Sequence, residues 1–257
     1  MKSSRRGFLG IAGGALLGGV PVAGALAAGE LNAERDAKAL IGKKWAMVID
    51  VRKCMAQGDC NACQDACHVA HNVPKIEGYE EEIKWIWKEP YSHAFPDQCH
   101  DYTEPKLKNG RVTVLCNHCE SPACVRVCPT QATYKRADGI VVMDMHRCVG
   151  CRYCIVACPY GSRSFNFSDP RPHIAQIQKD YPTRMKGVVE KCNFCAERLA
   201  VGEMPLCVEA CKKVNCGALH FGDLADPNSN VAKLLRENNA IRRKPGLGTA
   251  PQVFYIV

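Results

Sequence analysis

Short stretches in which apolar and β-branched residues alternate with other residues recur along the chain, and each leads into a cysteine. Trp45 to Val51, Arg111 to Leu115 and Ile140 to Asp144 follow this pattern, which is typical of strands. Asp138-Gly139, between Ala132 to Arg136 and Ile140 to Asp144, predicts a β-hairpin. The pattern therefore predicts several short strands and small sheets.

Short helices are expected beside two of the cysteine-rich stretches, over Ala123 to Val127 and Ile155 to Ala157. Strand, cysteine loop, short helix and hairpin recur at an offset of about 30 residues, which indicates an internal duplication. No apolar run of about 18 residues or more follows residue 30, so the pattern argues against a membrane-spanning protein.

The first residues have the features of an export signal. A basic start is followed by a weakly apolar stretch, Ile11 to Ala28, that contains the small-residue run Ala25 to Ala27. The pair Arg5-Arg6 resembles a twin-arginine signal, a route that carries folded proteins across a membrane. We expect residues 1–27 to be cleaved and residues 28–43 to form a linker. The alternative is a short basic helix anchored in a membrane.

Composition adds the chemistry, because 18 of the 257 residues are cysteine and sixteen of them form four groups. The groups are Cys54, Cys60, Cys63 and Cys67; Cys116, Cys119, Cys124 and Cys128; Cys148, Cys151, Cys154 and Cys158; and Cys192, Cys195, Cys207 and Cys211. Group three, with Pro159, matches the C-x2-C-x2-C-x3-C-P run of bacterial ferredoxins. Three such thiolates can converge on one iron–sulfur cubane while the fourth reaches a second one.

Three other uses of cysteine remain possible and fit less well. Zinc sites take two cysteine pairs rather than runs of four. A disulfide framework is the default for an exported cysteine-rich chain, but cysteines three residues apart are poor partners for structural bridges. Haem attachment needs C-x-x-C-H, and Cys63 to His68 has one residue too many.

The formal net charge of +8 first suggests an anionic partner such as nucleic acid. Removal of the signal takes away Lys2, Arg5 and Arg6 and leaves +5. Sixteen thiolates contribute −16, and four cluster cores of about +2 each contribute about +8. The bound clusters would therefore change the net charge by about −8. We therefore expect no nucleic-acid partner.

From Trp45 to Val257 the chain resembles the four-cluster iron–sulfur subunits of the dimethyl-sulfoxide-reductase type. The resemblance rests on Cys116 to Thr130, the Asp138-Gly139 hairpin, Cys148 to Tyr160 and the C-terminal Phe221 to Leu224. It is also carried by Leu234-Leu235 on an expected helix, by Gly248 to Pro251 and by Val253 to Tyr255.

The resemblance implies an α+β, ferredoxin-like fold of two nested two-cluster modules. The first module takes residues 44–71 and 180–224, and the second takes residues 111–179. Residues 72–110 form an insert or docking segment, and residues 225–257 form a C-terminal extension.

The resemblance also implies which thiols share one of four [4Fe–4S] clusters. The first set is Cys54, Cys60, Cys63 and Cys211; the second set is Cys192, Cys195, Cys207 and Cys67; the third set is Cys116, Cys119, Cys124 and Cys158; and the fourth set is Cys148, Cys151, Cys154 and Cys128.

The chain departs from the family pattern in two places. Five residues, Met55 to Asp59, separate the first two cysteines of group one, where two are usual, and Lys212 replaces the proline after Cys211. The first set could therefore hold a three-iron cluster or use another ligand. Together with the expected signal and the absence of a C-terminal anchor, these departures resemble the DsrO-type subunit of the sulfite-reduction-associated membrane complex.

The resemblance implies an electron-transfer subunit with no catalytic residue and no small-molecule substrate. It would lie on the periplasmic or extracytoplasmic side of a membrane. Its expected partners are a polytopic, quinone-interacting NrfD-like membrane subunit and a c-type cytochrome or catalytic redox subunit. The alternatives are the iron–sulfur subunit of a molybdopterin oxidoreductase (polysulfide, tetrathionate, dimethyl sulfoxide or nitrite reductase type) and a cysteine-rich module without a redox role.

Several features remain outside the four sets. The insert is interpreted either as a small lid or as a docking surface of exposed aromatics, namely Trp85, Trp87, Tyr91 and Phe95. Cys99 and Cys216 are free thiols, a disulfide or alternative ligands. Four histidines lie near cysteines and can tune a cluster through hydrogen bonds; they are His68, His71, His100 and His118.

Overall fold

The computed structural model describes residues 38–78 and 80–257. The expected signal, residues 1–27, and most of the expected linker lie outside the described residues. The strands are β1 (Trp45–Asp50), β2 (Ile86–Pro90), β3 (Arg111–Leu115), β4 (Thr133–Lys135), β5 (Val141–Met143), β6 (Ser164–Phe165), β7 (Val189–Glu190), β8 (Leu219–Asp223), β9 (Ala240–Ile241) and β10 (Val253–Ile256). The α-helices are α1 (Val51–Ala56), α2 (Ala62–Ala70), α3 (Tyr91–Ala94), α4 (Pro105–Lys108), α5 (Ala123–Arg126), α6 (Tyr153–Ala157), α7 (Ala196–Ala200), α8 (Leu206–Lys213) and α9 (Asn230–Glu237).

The largest sheet has the strand order β8-β1-β10-β9. In β1, Met47 and Ile49 pack into the main core, whereas Ala46 and Val48 pack against α9 on the opposite face. Alternation predicted a half-buried strand, but both faces of β1 are covered because α9 lies across the second face. Gly222 permits this close approach, since a Cβ there would lie 3.1 Å from Val231.

β10 pairs with β1 in parallel, with Met47 opposite Val253 and Asp50 opposite Ile256. β8 pairs with the other edge of β1 in antiparallel register. The segment 225–257, which the sequence analysis set apart, therefore supplies a strand that lies beside the residues leading into Cys54.

The aromatic residues of the insert are buried, so the interpretation of the insert as a surface of exposed aromatics is wrong. Trp85, Trp87, Tyr91 and Phe95 all belong to the main core. β2 pairs along its whole length with β3, and Phe95 contacts the ring of Tyr255 at 4.9 Å. The insert thus completes the core instead of extending from it.

The predicted hairpin is confirmed, because β4 and β5 pair in antiparallel register and Gly139 has a φ of 86°. α5 and α6 also lie where short helices were expected, but both end before the last cysteine of their group. Cys128 and Cys158 follow these helices on extended or turn backbone. Small sheets and short helices agree with the expected mixture of α and β structure.

No helix in the described part of the chain is long and apolar enough to cross a membrane.

Candidate metal centres

Two helices present their cysteines four residues apart on one face. α2 carries Cys63 and Cys67, and α8 carries Cys207 and Cys211; all four are buried. Residues at i and i+4 share one helix face, so each helix can direct two thiols toward its neighbour. α2 packs against α8, and each helix contributes one thiol to the first set and one to the second.

The first set surrounds Cys63. Burial raises the pKa of the Cys63 thiol to about 12, and the charges of Cys54, Cys211 and Cys60 act in the same direction. The Sγ of Cys54 lies 3.3 Å from the Thr113 hydroxyl. The backbone N–H of Ala218 donates to the Sγ of Cys211 at 3.2 Å. The other three thiols of the set therefore lie near Cys63, and those of Cys54 and Cys211 also contact neighbouring polar groups.

The second set lines one cavity together with core side chains. Its thiols are those of Cys67, Cys192, Cys195 and Cys207, all of which are buried. Phe194 and Cys195 have φ of 56° and 50°, and the N–H of Phe194 donates to the Sγ of Cys192 at 3.4 Å. This left-handed turn lets two thiols from one short loop point the same way.

His71 lies beside the second set. Its Nδ1 is 3.6 Å from the Sγ of Cys67, and its Nε2 is 2.8 Å from a carboxylate oxygen of Glu197. Its ring stacks on Trp85 at 4.9 Å. His71 is therefore one of the histidines near cysteines in the sequence that contacts a thiol of the four sets.

The third set surrounds Cys119. Burial raises the pKa of the Cys119 thiol to about 12, and the charges of Cys116, Cys158 and Cys124 act in the same direction. A hydrogen bond from the Thr249 hydroxyl lowers this pKa and so favours the thiolate. Thr249 also contacts the Tyr160 hydroxyl. A residue near the C-terminus therefore contacts the third set.

The fourth set lines a second small cavity. Its thiols are those of Cys128, Cys148, Cys151 and Cys154. Although burial raises the pKa of Cys128, backbone hydrogen bonds, first from Thr133, hold this pKa below its ordinary value. Cys151 is exposed, which makes the fourth set the one nearest to solvent.

Neighbouring sets are close enough for their thiolate charges to interact. Cys63 and Cys67 lie one turn apart on α2, which places the first set beside the second. Leu115, next to Cys116, lines the second-set cavity with Cys192, and α5, which carries Cys124, packs against α6, which carries Cys154. The sets therefore follow one another from the first to the fourth.

The remaining two cysteines differ in their surroundings. All eighteen cysteines lie in the described part of the chain as free thiols, and no bridge joins Cys99 to Cys216 there. The Sγ of Cys216 lies 3.8 Å from the carbonyl oxygen of Lys53, and burial, a hydrogen bond with Cys211 and the charges of Cys211 and Cys54 raise the pKa of this thiol. Cys216 is thus a fifth thiol near the first set, whereas Cys99 packs beside the main core.

Sequence reasoning did not find two buried cations near the thiols. Arg163 and Lys191 are buried, and the charge of Arg163 acts on Cys154 while that of Lys191 acts on Cys192. Lys191 precedes a C-x2-C pair, but no spacing rule distinguishes a buried basic residue from a solvated one. His118 stacks on Phe194 at 3.6 Å, and burial holds its pKa well below the ordinary value.

The donor chemistry fits iron–sulfur clusters. Four thiols in each set offer only soft sulfur ligands, and burial opposes their ionisation unless a cation compensates the charge. Backbone N–H groups directed at sulfur, as at Cys192 and Cys211, stabilise thiolates that bind metal. Fold and site together define a ferredoxin-like iron–sulfur protein.

Comparison with known proteins identifies the family. The profile of the 4Fe-4S dicluster domain matches residues 111–170. The chain is 42% identical to Hdr-like menaquinol oxidoreductase iron-sulfur subunit 1 of Archaeoglobus fulgidus, over 98% of this chain and 97% of that protein. The chain belongs to the family of oxidoreductase iron–sulfur subunits that this relative represents.

Two further relatives extend the comparison. A subunit of the tetrathionate reductase of Salmonella typhimurium is 37% identical over 83% of this chain and 72% of its own length. An iron–sulfur subunit from Halobacterium salinarum is named as a putative dimethyl sulfoxide reductase component. It is 37% identical over 82% of this chain and 78% of its own length. The expected resemblance to dimethyl-sulfoxide-reductase-type subunits is confirmed at the level of this family.

Proposed function

We propose that this protein is an electron-transfer subunit that carries four [4Fe–4S] clusters and has no catalytic site of its own. The observation that carries the proposal is the succession of four thiol sets, each beside the next. When bound, the clusters would supply one-electron carriers whose potentials depend on ligands, hydrogen bonds and solvent exposure. The sixteen cysteines of the four sets would hold them.

The surroundings of the thiol sets suit electron transfer rather than the making or breaking of covalent bonds. The thiols of the second set line one cavity with main-core side chains such as Met47 and Leu115. Burial excludes water, and N–H donors stabilise charge on sulfur. The residues thus hold, orient and shield the carriers.

One end of the succession reaches the surface through apolar side chains. Val149 and Val156 are 67% and 87% exposed, and Tyr153 is 62% exposed. Val149 lines the cavity of the fourth set, and the other two lie on α6 with Cys154. Exposed apolar clusters mark interaction sites. We call these three residues the fourth-set face and assign to it a partner subunit.

The partners proposed are a polytopic NrfD-like membrane subunit, which would exchange electrons with quinone, and a c-type cytochrome or catalytic redox subunit. The A. fulgidus relative, aligned along almost its whole length, is named a menaquinol oxidoreductase subunit, which supports a link to quinone. The twin-arginine pattern supports export and a periplasmic or extracytoplasmic position.

Within the family we favour a DsrO-type subunit of a sulfur-metabolising membrane complex. The longer loop of group one and Lys212 support this choice. A second candidate is the iron–sulfur subunit of a molybdopterin oxidoreductase, which the similarity to the tetrathionate reductase relative supports. Copurification with a large molybdopterin subunit would overturn the first choice, whereas copurification with a multihaem cytochrome would support it.

The deciding experiment is the iron and acid-labile sulfide content of anaerobically purified protein, with low-temperature EPR of the reduced form. About sixteen irons per chain, with magnetically coupled signals, are expected from four cubane clusters. A three-iron signal in the oxidised protein would assign a different cluster to the first set. Zinc, or no metal, would overturn the proposal.

A further inference from the structure

Arg163 and Lys191 are buried cations that lack the usual anionic partner. They are 5% and 2% exposed. Arg163 donates to the Thr133 hydroxyl at 3.1 Å, and Lys191 donates to the carbonyls of Val141 and Cys192. In the described part of the chain, neither forms an ion pair with a carboxylate. A buried charge without compensation is costly, so another anion has to face each of them.

Two other buried arginines are paired with carboxylates. Arg184 pairs with Glu190 at 2.6 Å, and Arg243 pairs with Glu89 at 2.5 Å. Their charges are compensated by carboxylates, so they need nothing from the thiol sets. The difference lies in what surrounds Arg163 and Lys191.

Arg163 lies against the cavity of the fourth set. Its Nη1 contacts the Thr133 hydroxyl and, at 3.8 Å, the Sδ of Met143, and both of these residues line that cavity with the four thiols. Although burial opposes its charge, the charges of Cys124 and Cys154 keep the pKa of Arg163 above its ordinary value. Cys124 belongs to the third set and Cys154 to the fourth, so the guanidinium lies between two sets. Its buried Nη2 has no hydrogen-bond partner in the described part of the chain. The anions that face Arg163 are therefore sulfurs of two neighbouring sets.

We propose that Arg163 is a positioning residue that serves as a shared counter-charge for the third and fourth sets and raises the reduction potentials of the clusters bound there. This inference rests on the proposed function. Reduction of either cluster adds one electron, converts one Fe³⁺ to Fe²⁺ and breaks no bond. A fixed cation stabilises the added negative charge more than it stabilises the oxidised state, and low polarity strengthens the effect.

Lys191 has the same relation to the second set, because its Nζ contacts the backbone of Cys192 and its charge lowers the pKa of that thiol. Substitution of Lys191 therefore provides an independent test at the second set.

The test compares Arg163→Gln with Arg163→Lys in the full chain, purified anaerobically with its clusters and titrated against a low-potential reductant under EPR. With Arg163→Gln, the ratio of reduced to oxidised third-set or fourth-set cluster at the wild-type midpoint should fall about tenfold, which is about 59 mV for a one-electron couple. Arg163→Lys, which keeps the charge, should stay within about twofold. Arg171→Gln removes an exposed charge and is the control.

Each outcome decides a separate point. If wild-type protein binds no iron–sulfur cluster, the proposed function fails. If wild type holds its clusters and Arg163→Gln leaves all potentials unchanged, only the role of Arg163 is wrong. If Arg163→Gln loses iron while Arg163→Lys keeps it, a required charge is supported, and Lys191→Gln then tests the potential shift at the second set. If both Arg163 variants lose iron, the residue acts through shape and the inference is overturned.

Discussion

Backbone strain at the level of single residues concentrates beside the cysteines. Phe194, Cys195, His118 and Arg152 all have positive φ although none is glycine. Such conformations persist only where the surroundings impose them, and they are common at functional sites. They turn closely spaced thiols toward one point. Cysteine spacing indicated which residues would ligate, but the left-handed turns and the buried Arg163 have no signal in the spacing.

Replacement of a single thiol tests which sets are correct. Cys128 is the last cysteine of group two in the sequence but lines the cavity of the fourth set. Cys128→Ala should therefore damage the cluster of Cys148, Cys151 and Cys154 and leave that of the third set intact, as EPR of the reduced protein would show. Cys99→Ala, outside all sets, is the control. Loss of the third-set signal instead would show that the pairing is wrong.

The fifth thiol near the first set leads to a separate prediction. The first set already has four thiols without Cys216. Cys216→Ala should therefore retain the full iron content, whereas Cys60→Ala should lose the first-set cluster or convert it to a three-iron form. Iron analysis and EPR of the oxidised protein measure both. If Cys216→Ala is the variant that loses iron, Cys216 is a ligand.

The positions of the secondary-structure elements followed the local sequence pattern, whereas the pairing of the strands did not. β3 and the hairpin of β4 and β5 lie where alternation and Asp138-Gly139 indicated. The pairing of β1 with β10 joins opposite ends of the chain, and no local pattern encodes it. The aromatic residues of the insert suggested a docking surface, because their spacing in the sequence does not show whether they are buried. Pairing of β2 with β3 placed them in the core.

A buried ion pair fixes the segment before β7. Arg184 and Glu190 are fully buried, and Glu190 also accepts from the Nε1 of Trp85 at 2.9 Å. Arg184→Met would leave Glu190 buried without its cation, which costs about 3–5 kcal/mol. The expected result is a lower urea midpoint for loss of the cluster absorbance. Arg171→Met, at an exposed pair, should leave that midpoint unchanged, and an equal effect of both variants would contradict this explanation.

At the scale of the whole molecule, the four sets extend from the main core to the surface. Cys63 and Cys67 are buried, whereas Cys151 is exposed beside the fourth-set face. A relay needs its inner carriers shielded and a terminal carrier near a partner. The gradient of burial meets both needs.

Partner binding should depend on the fourth-set face but cluster binding should not. Val156→Asp places a charge at an exposed apolar position and is expected to weaken copurification with a partner subunit at least about tenfold. Iron content and EPR should match wild type. Tyr102→Asp, at another exposed position in the insert, is the control. Unchanged association with Val156→Asp would assign the docking surface elsewhere.

The parallel pairing of β1 with β10 has a consequence for biosynthesis. The third and fourth sets lie within residues 116–158, so all their cysteines leave the ribosome before those of group four. The first set needs Cys54 and Cys211, and the strand that leads into Cys54 gains its parallel neighbour only when residues 253–256 have been translated. Since chains emerge N-terminus first at about 5–20 residues per second, iron delivery to this protein has an intrinsic order. The third and fourth sets are available first, and the first and second sets are enclosed only after β10 has been translated.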